Sequence, residues 1–369
     1  MNKEMKLGLI LGTRPEIIKM APVIHYLEDT KMSYFIIHSG QHFTKNMNDY
    51  FLKCFGICSK IKYQINRNKN PSTNLSNVIF QTRKILKKEK PDLFLIQGDT
   101  DTGFAAAIAA SGLNIKIGHI EAGLRSYDLS MPEEKNRITI DHLAQFNFCP
   151  TNYSMKNLKN EGLTNSYIVG NTIVDSLQFV RNAIKQEDTW INHSHKYILL
   201  TLHRPSNVDN TVTLNKFIEN IDNIAQKKNI QVIFPVHPRT KNGLVKKYSN
   251  IQCVEPLDYF HFVSYEKNAQ VILTDSGGVQ EEACILRTPC ITLRENTERQ
   301  ETIEIGANIL SNGQLDDLSY KIDFMMEKKD KHNNDWHHPF GKLNVAKRIF
   351  GIINSEYQHS FESQQISLD

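Results

Sequence analysis

Acidic side chains gather where short apolar runs stop. Asp99 closes "LFLIQGD", Glu121 closes "IGHIE", and Glu133 and Glu134 stand together in "MPEEKNR". A carboxylate at the end of a buried strand loses part of its hydration, and desolvation tunes such a group for proton transfer. Asp99 and Glu121 therefore read as acid/base candidates. Glu134, like Asp101, suits a solvated loop acid or a partner for Arg125 or Arg137. In the second half His203-Arg204 ends "YILLTLHR" and His237 stands in "PVHPR". Two histidines at equivalent strand ends favour contact with a ligand over a structural role. In "DSGGVQEEA" (275–283), Ser276 can cap a helix while Gly277 and Gly278 let backbone amides approach an anion. The same residues also make an ordinary strand–turn–helix start with acids that suit the dipole, and the stretch alone leaves both readings open. In "GTRPE", Thr13, Pro15 and Glu16 spell a helix start, but Arg14 is a cation where the dipole disfavours one. An anion shared with the helix N-terminus accounts for it.

These residues need a scaffold that brings strand ends together. Apolar runs of strand length fall at Leu7–Leu11, Tyr34–Ile37, Leu93–Ile96, Ile115–Ile120, Phe146–Cys149 and Tyr167–Val169. A second series falls at Tyr197–Leu202, Val232–Val236, Ile251–Val254, Val271–Leu273 and Cys290–Leu293. Runs without polar alternation, separated by helical lengths, predict parallel sheets covered on both faces. Ligands of open α/β sheets bind beyond the carboxyl ends of the strands. Polar clusters at nearly every such end, in both series, predict two sheets facing a cleft. The expected division is 1–172, then 173–345, then a terminal helix and polar tail at 346–369.

Several functions are excluded. Charged residues make up 23% of the 369 and the net charge is +4, spread along the chain with no basic stripe, so nucleic acid is not an expected partner. The most apolar stretch, Gly103–Leu113, is too short to span a bilayer. "MNKEMK" runs into "LGLIL" with no leader pattern, and the six cysteines are scattered, which together predict free thiols in the cytoplasm. No P-loop lysine, G-x-G-x-x-G fingerprint, G-x-S-x-G elbow or zinc-ligand spacing is present, so no nicotinamide cofactor or metal is expected.

The succession "GTRPEIIKMAPVI", "SGQH", "GDTDT", "GHIEAGLRS", "PEEKNR", "PTNYS", "VGNTIVD", "TLHRPSN", "PVHPRT", "LTDSGGVQEEA" and "RENTERQET" resembles the non-hydrolysing UDP-N-acetylglucosamine 2-epimerases, from residue 12 to about 310. The resemblance implies a GT-B-like fold of two Rossmann-type domains around a central cleft, with the terminal helix at 346–369 crossing back onto the first domain. It implies a homodimer without cofactors that interconverts UDP-GlcNAc and UDP-ManNAc by eliminating UDP and adding it back. Carried over by position, it makes Asp99, Glu121, Glu133 and His203 catalytic. Arg14, Lys19, Arg204, Phe262, Ser276, Gly277, Gly278, Glu282 and Arg299 become UDP-binding residues, with Arg14 joining from the first domain. Gln41, Glu134 and His237 match positions of an allosteric UDP-sugar site, where Thr44 replaces a glutamine. Gln300 departs from a usual proline, Arg287 from a glycine, and "HPFGKLN" lacks an Asp-Gly. Rival readings are the same epimerisation of another UDP-2-acetamido sugar, a hydrolysing epimerase, a GT-B glycosyltransferase and a non-catalytic UDP-sugar sensor.

Overall fold

The computed structural model describes residues 5–40, 51–65, 73–187, 195–236, 238–241, 243–244, 248–311, 317–330 and 335–366. The chain divides into two compact units, Met1–Gln178 with Phe340–Asp369, and Phe179–Pro339.

In the first unit, strands β1 (Lys6–Leu11), β2 (Ser33–His38), β3 (Ile61–Gln64), β4 (Leu93–Gln97), β5 (Lys116–Ile120), β6 (Phe146–Cys149) and β7 (Ser166–Ile168) form a parallel sheet in the order β3-β2-β1-β4-β5-β6-β7. The helices are α1 (Arg14–Asp29), α2 (Asn74–Glu89), α3 (Asp101–Ser111), α4 (Pro132–Leu143) and α5 (Asn152–Asn160). The central strands are apolar on both faces because helices cover both, and Leu93–Ile96 are all 0% exposed.

α1 begins where Glu16 accepts the Thr13 amide at 2.6 Å and the Gly12 amide at 2.9 Å, giving the expected capping box. Pro22 lies inside this helix and has no N–H for the Ile18 carbonyl. The Ser176 hydroxyl donates to that carbonyl instead, at 2.7 Å.

α6 (Ile173–Glu187) carries the chain into the second unit. There β8 (Tyr197–Thr201), β9 (Gln231–Pro235), β10 (Ile251–Val254), β11 (Val271–Thr274), β12 (Cys290–Thr292) and β13 (Asn308–Leu310) form a parallel sheet in the order β10-β9-β8-β11-β12-β13. Its helices of five residues or more are α7 (Thr211–Lys227), α8 (Tyr259–Asn268), α9 (Gly277–Leu286), α10 (Gln300–Glu304) and α11 (Leu318–Asp330). Finally α12 (Val345–Ile366) joins the first unit, its Phe350 ring stacked on Tyr26 of α1 at 4.9 Å.

The passages between units fall at 178/179 and 339/340, a few residues from those read in the sequence. α6 runs straight through the first of them, so composition does not change at the passage. The terminal helix also continues through the polar stretch from residue 358 to Ile366. That stretch contains no glycine or proline to stop it.

Candidate active site

Each sheet has a switch point where the chain reverses its direction of strand addition, between β1 and β4 in one unit and between β8 and β11 in the other. Loops at such points diverge and leave a crevice beyond the strand ends. The chemistry-bearing residues collect at both.

In the first unit, β4 and β5 run in register with Gln97 opposite Ile120, which sets Gly98-Asp99 beside Glu121. The Gly98 amide donates to the Ile120 carbonyl, and His119 Nε2 lies 2.8 Å from the Gly98 carbonyl, so the turn before Asp99 is tied to β5. His119 Nδ1 meets Asp141 at 2.7 Å, and Arg125 bridges Asp141 and Glu161. Asp99 is 27% exposed and accepts hydrogen bonds from Arg137 Nε and Nη2.

Glu121 is buried and sits in the left-handed region at φ 72°. Its Oε2 receives Lys19 Nζ at 2.5 Å and Gln97 Nε2 at 2.6 Å. A strained non-glycine residue in a paired, buried carboxylate is a mark of functional sites. Lys19, 3% exposed and matched above to the UDP-binding set, thus lies against Glu121.

Glu133 is exposed in the first turn of α4. Its neighbour Glu134 is fully buried, accepting the Ser126 and Tyr127 amides, the Ser126 hydroxyl and Arg137 Nη1. Glu134 is therefore an arginine partner that locks loop 126–131, and the solvated alternative does not hold. Arg137 joins Asp99 to that lock.

At the start of α1, Arg14 lies over the Phe51 ring at 5.8 Å, and no carboxylate pairs with it among the described residues. Burial lowers its guanidinium from the ordinary value. Gln41 and His237 lie outside the described residues.

In the second unit Asp275 is wholly buried and gathers the His203 and Arg204 amides, Asn207 Nδ2 and His203 Nδ1, the last at 3.0 Å. Burial would raise its pKa, but these donors, His203 first, hold it at about 2. Bonding Nδ1 to a carboxylate makes Nε2 the basic nitrogen of His203.

Ser276 caps α9 through the Val279 amide, and the half-exposed Gly277 and Gly278 open the helix. Beside them Glu298 meets Arg299 at 2.8 Å, Arg294 at 3.0 Å and Arg204 at 3.9 Å. Arg299 also pairs with the buried Glu281 at 2.9 Å. Three arginines against two glutamates leave an excess of positive charge beside a helix N-terminus, chemistry that suits an anion. Farther along α9, Glu282 accepts the Tyr259 hydroxyl at 2.6 Å, and Phe262 packs partly buried against the cluster holding Val279 and Ala283.

Asp275, Arg294, Glu298 and Tyr259 were given no role from the sequence. The signal was the i, i+4 pair Arg294/Glu298 inside "RENTER" and the aspartate that ends β11. Among the described residues no three His, Cys, Asp or Glu side chains gather as a metal-binding group.

Two all-parallel Rossmann-type units in one chain, each with polar residues at its switch point, define a GT-B-like α/β protein. The family model described as UDP-N-acetylglucosamine 2-epimerase matches residues 25–354, and the chain belongs to that family. It is 45% identical to the UDP-N-acetylglucosamine 2-epimerase of Methanococcus maripaludis, over 95% of this chain and 99% of that one. A crystal structure of Methanocaldococcus jannaschii UDP-GlcNAc 2-epimerase in complex with UDP-GlcNAc and UDP superposes with a TM-score of 0.87 at 42% identity, covering 95% of this chain and all of that one. The UDP-2,3-diacetamido-2,3-dideoxy-D-glucuronate 2-epimerase of Pseudomonas aeruginosa is 36% identical over 83% of this chain and 88% of that one.

Proposed function

We propose that the chain is a non-hydrolysing epimerase that interconverts UDP-GlcNAc and UDP-ManNAc. A base takes the C2 proton, the C1–O bond breaks with its electron pair leaving on UDP, and a C1=C2 double bond forms in 2-acetamidoglucal. Return of a proton to the opposite face of C2, with attack of UDP oxygen at C1, gives the epimer. Asp99 and Glu121 flank C2 as base and acid, and Glu133 assists protonation or departure. Lys19, with Gln97, holds the Glu121 carboxyl in place at the end of β5 in this scheme. The Ser276–Gly278 amides and the arginines around Glu298 hold the diphosphate as it becomes the leaving group. His203, oriented by Asp275, serves the same end, and Glu282 accepts the ribose hydroxyls. Arg14, desolvated at the start of α1, supports an anion there too.

The observation that carries this reading is the pairing of Asp99 and Glu121 at adjacent strand ends, one held by Arg137 and the other by Lys19. A glycosyltransferase or a sugar sensor has no use for two proton-transfer groups so placed. A second reading, the same chemistry on another UDP-2-acetamido sugar, draws on the Pseudomonas relative, which is less similar to this chain than the Methanococcus one. The reading also places the enzyme in the cytoplasm as a homodimer, to be checked by fractionation and light scattering. No helix among the described residues is long and apolar enough to cross a membrane.

Incubation with UDP-GlcNAc in D2O, followed by NMR, should give deuterium at C2 and a UDP-ManNAc signal. Free N-acetylmannosamine would indicate hydrolysis instead, and no exchange with any UDP-2-acetamido sugar would overturn the reading. Asp99→Asn should abolish exchange and leave the Kd for UDP within about twofold, as expected for a group acting only on the transition state.

A further inference from the structure

Glu266 of α8 is a buried acid that the reaction above does not use. It is 0% exposed, and neither of its carboxyl oxygens receives a donor. α8 packs on α9, Tyr259 lies two turns before Glu266 on the same face of α8 and reaches Glu282 at 2.6 Å, and Glu282 is the charge that acts on Glu266. Tyr259 on its own helix, Tyr197 on β8 and Cys290 on β12 are titratable groups that feel its charge, and none of the three is a cation. A bare carboxylate without donor or cation is untenable in such a place. Two facing carboxyls there hold one proton between them.

The hydrogen bonds locate that proton. Tyr259 donates to Glu282, which favours the ionised form of Glu282, while nothing donates to Glu266. Only a protonated Glu266 turns the contact into a bond, with its O–H donating to Glu282. Burial, and then the Glu282 charge, raise Glu266 well above the usual carboxylate range.

We propose that Glu266 is a positioning residue for the nucleotide: as a neutral acid it donates to Glu282 and, with Tyr259, fixes that carboxylate to accept the ribose hydroxyls. The proposal rests on the reading of Glu282 as the ribose acceptor. A residue that merely filled space could be leucine or methionine at no loss, since burying a carboxyl is costly.

Calorimetric titration of the full chain with UDP, between pH 6 and pH 10, tests it. Glu266→Leu should fold and bind UDP about tenfold more weakly at neutral pH, the loss expected for one charge-assisted hydrogen bond. It should bind 2′,3′-dideoxy-UDP as the unsubstituted protein does. Glu266→Gln keeps a donor but has no proton to lose, so it should recover the neutral-pH affinity. As pH rises, affinity for UDP should fall in the original protein when Glu266 ionises against Glu282, and should fall less in Glu266→Gln. Equal UDP affinity in a folded Glu266→Leu variant overturns the proposal. If that variant does not fold, identical alkaline profiles for the original and Glu266→Gln overturn it. Glu282→Gln separates the two readings. If it weakens UDP and Glu266→Leu does not, the positioning role alone fails. If Glu282→Gln has no effect, the ribose reading fails and this proposal with it.

Discussion

At the scale of single residues, Glu16 shows how a helix cap acquires a pH dependence. It is 1% exposed and collects the Gly12 and Thr13 amides and the Thr13 and Thr100 hydroxyls. Burial raises its pKa from 4.5 to about 7 against the pull of those donors. Its contribution to stability is therefore complete below about 4.5 and is lost as pH rises towards 7. At ~1.4 kcal/mol for each pH unit between those values, the loss is on the order of 3 kcal/mol. Glu16→Gln keeps an acceptor for the amides and an N–H for Thr100 but cannot ionise. Urea unfolding at pH 5 and pH 8 should show the original protein losing stability relative to this variant. A difference between the two proteins that stays constant with pH would mean that Glu16 stays ionised in the fold.

At the scale of elements, the two glycines of α9 separate what packing requires from what a ligand requires. A Cβ on Gly277 would lie 2.8 Å from Glu298 Oε1 and 3.3 Å from Arg299 Cζ, so Gly277→Ala should disturb the arginine cluster and lower both stability and UDP affinity. A Cβ on Gly278 meets nothing nearer than Ser276 Oγ at 3.9 Å. Gly278→Ala should raise stability by up to about 1 kcal/mol, as alanine does for glycine in a helix. If the amide of Gly278 approaches a diphosphate, the same change should weaken UDP binding at least several-fold. Stability gained with UDP affinity unchanged would place the anion elsewhere. This helix start was legible because its residue types are few and local, and the strand-end positions of Asp99 and Glu121 were legible because each follows a strand buried on both faces. β3, with the alternating "IKYQ", and β13, "NIL", escaped because neither holds three apolar residues in succession. The burial of Glu134 was hidden in an all-polar run, since its partners at 126 and 127 come from a loop that periodicity does not describe. Asp275, Arg294 and Glu298 likewise take their roles from contacts made only after folding.

At the scale of the whole chain, the residues after Pro339 complete the unit that carries Asp99 and Glu121, while Ser276, Gly277, Gly278 and Glu282, proposed above for the nucleotide, lie in the other. Phe340, Val345, Ile349, Phe350 and Ile353 are each at most 1% exposed. At roughly 2 kcal/mol for each buried apolar side chain, they contribute on the order of 10 kcal/mol, about the net stability of a domain. A chain ending at Pro339 should therefore lose the first unit, seen as rapid proteolysis before residue 179, together with all C2 exchange. The second unit keeps its own six-stranded sheet and core, so UDP binding should persist within about tenfold. Loss of UDP binding from a still-folded second unit would refute the division of labour proposed above. A milder probe uses Asp175, whose carboxylate accepts the Asn344 and Val345 amides at 2.7 and 2.8 Å and so caps α12 from another helix. Asp175→Ala should cost about 1–2 kcal/mol, the range for a lost N-cap, in the unfolding of the first unit alone. Because that cap touches no nucleotide residue, the Kd for UDP should not move, and a shift in it would show that stability of the first unit is coupled to the anion site of the second.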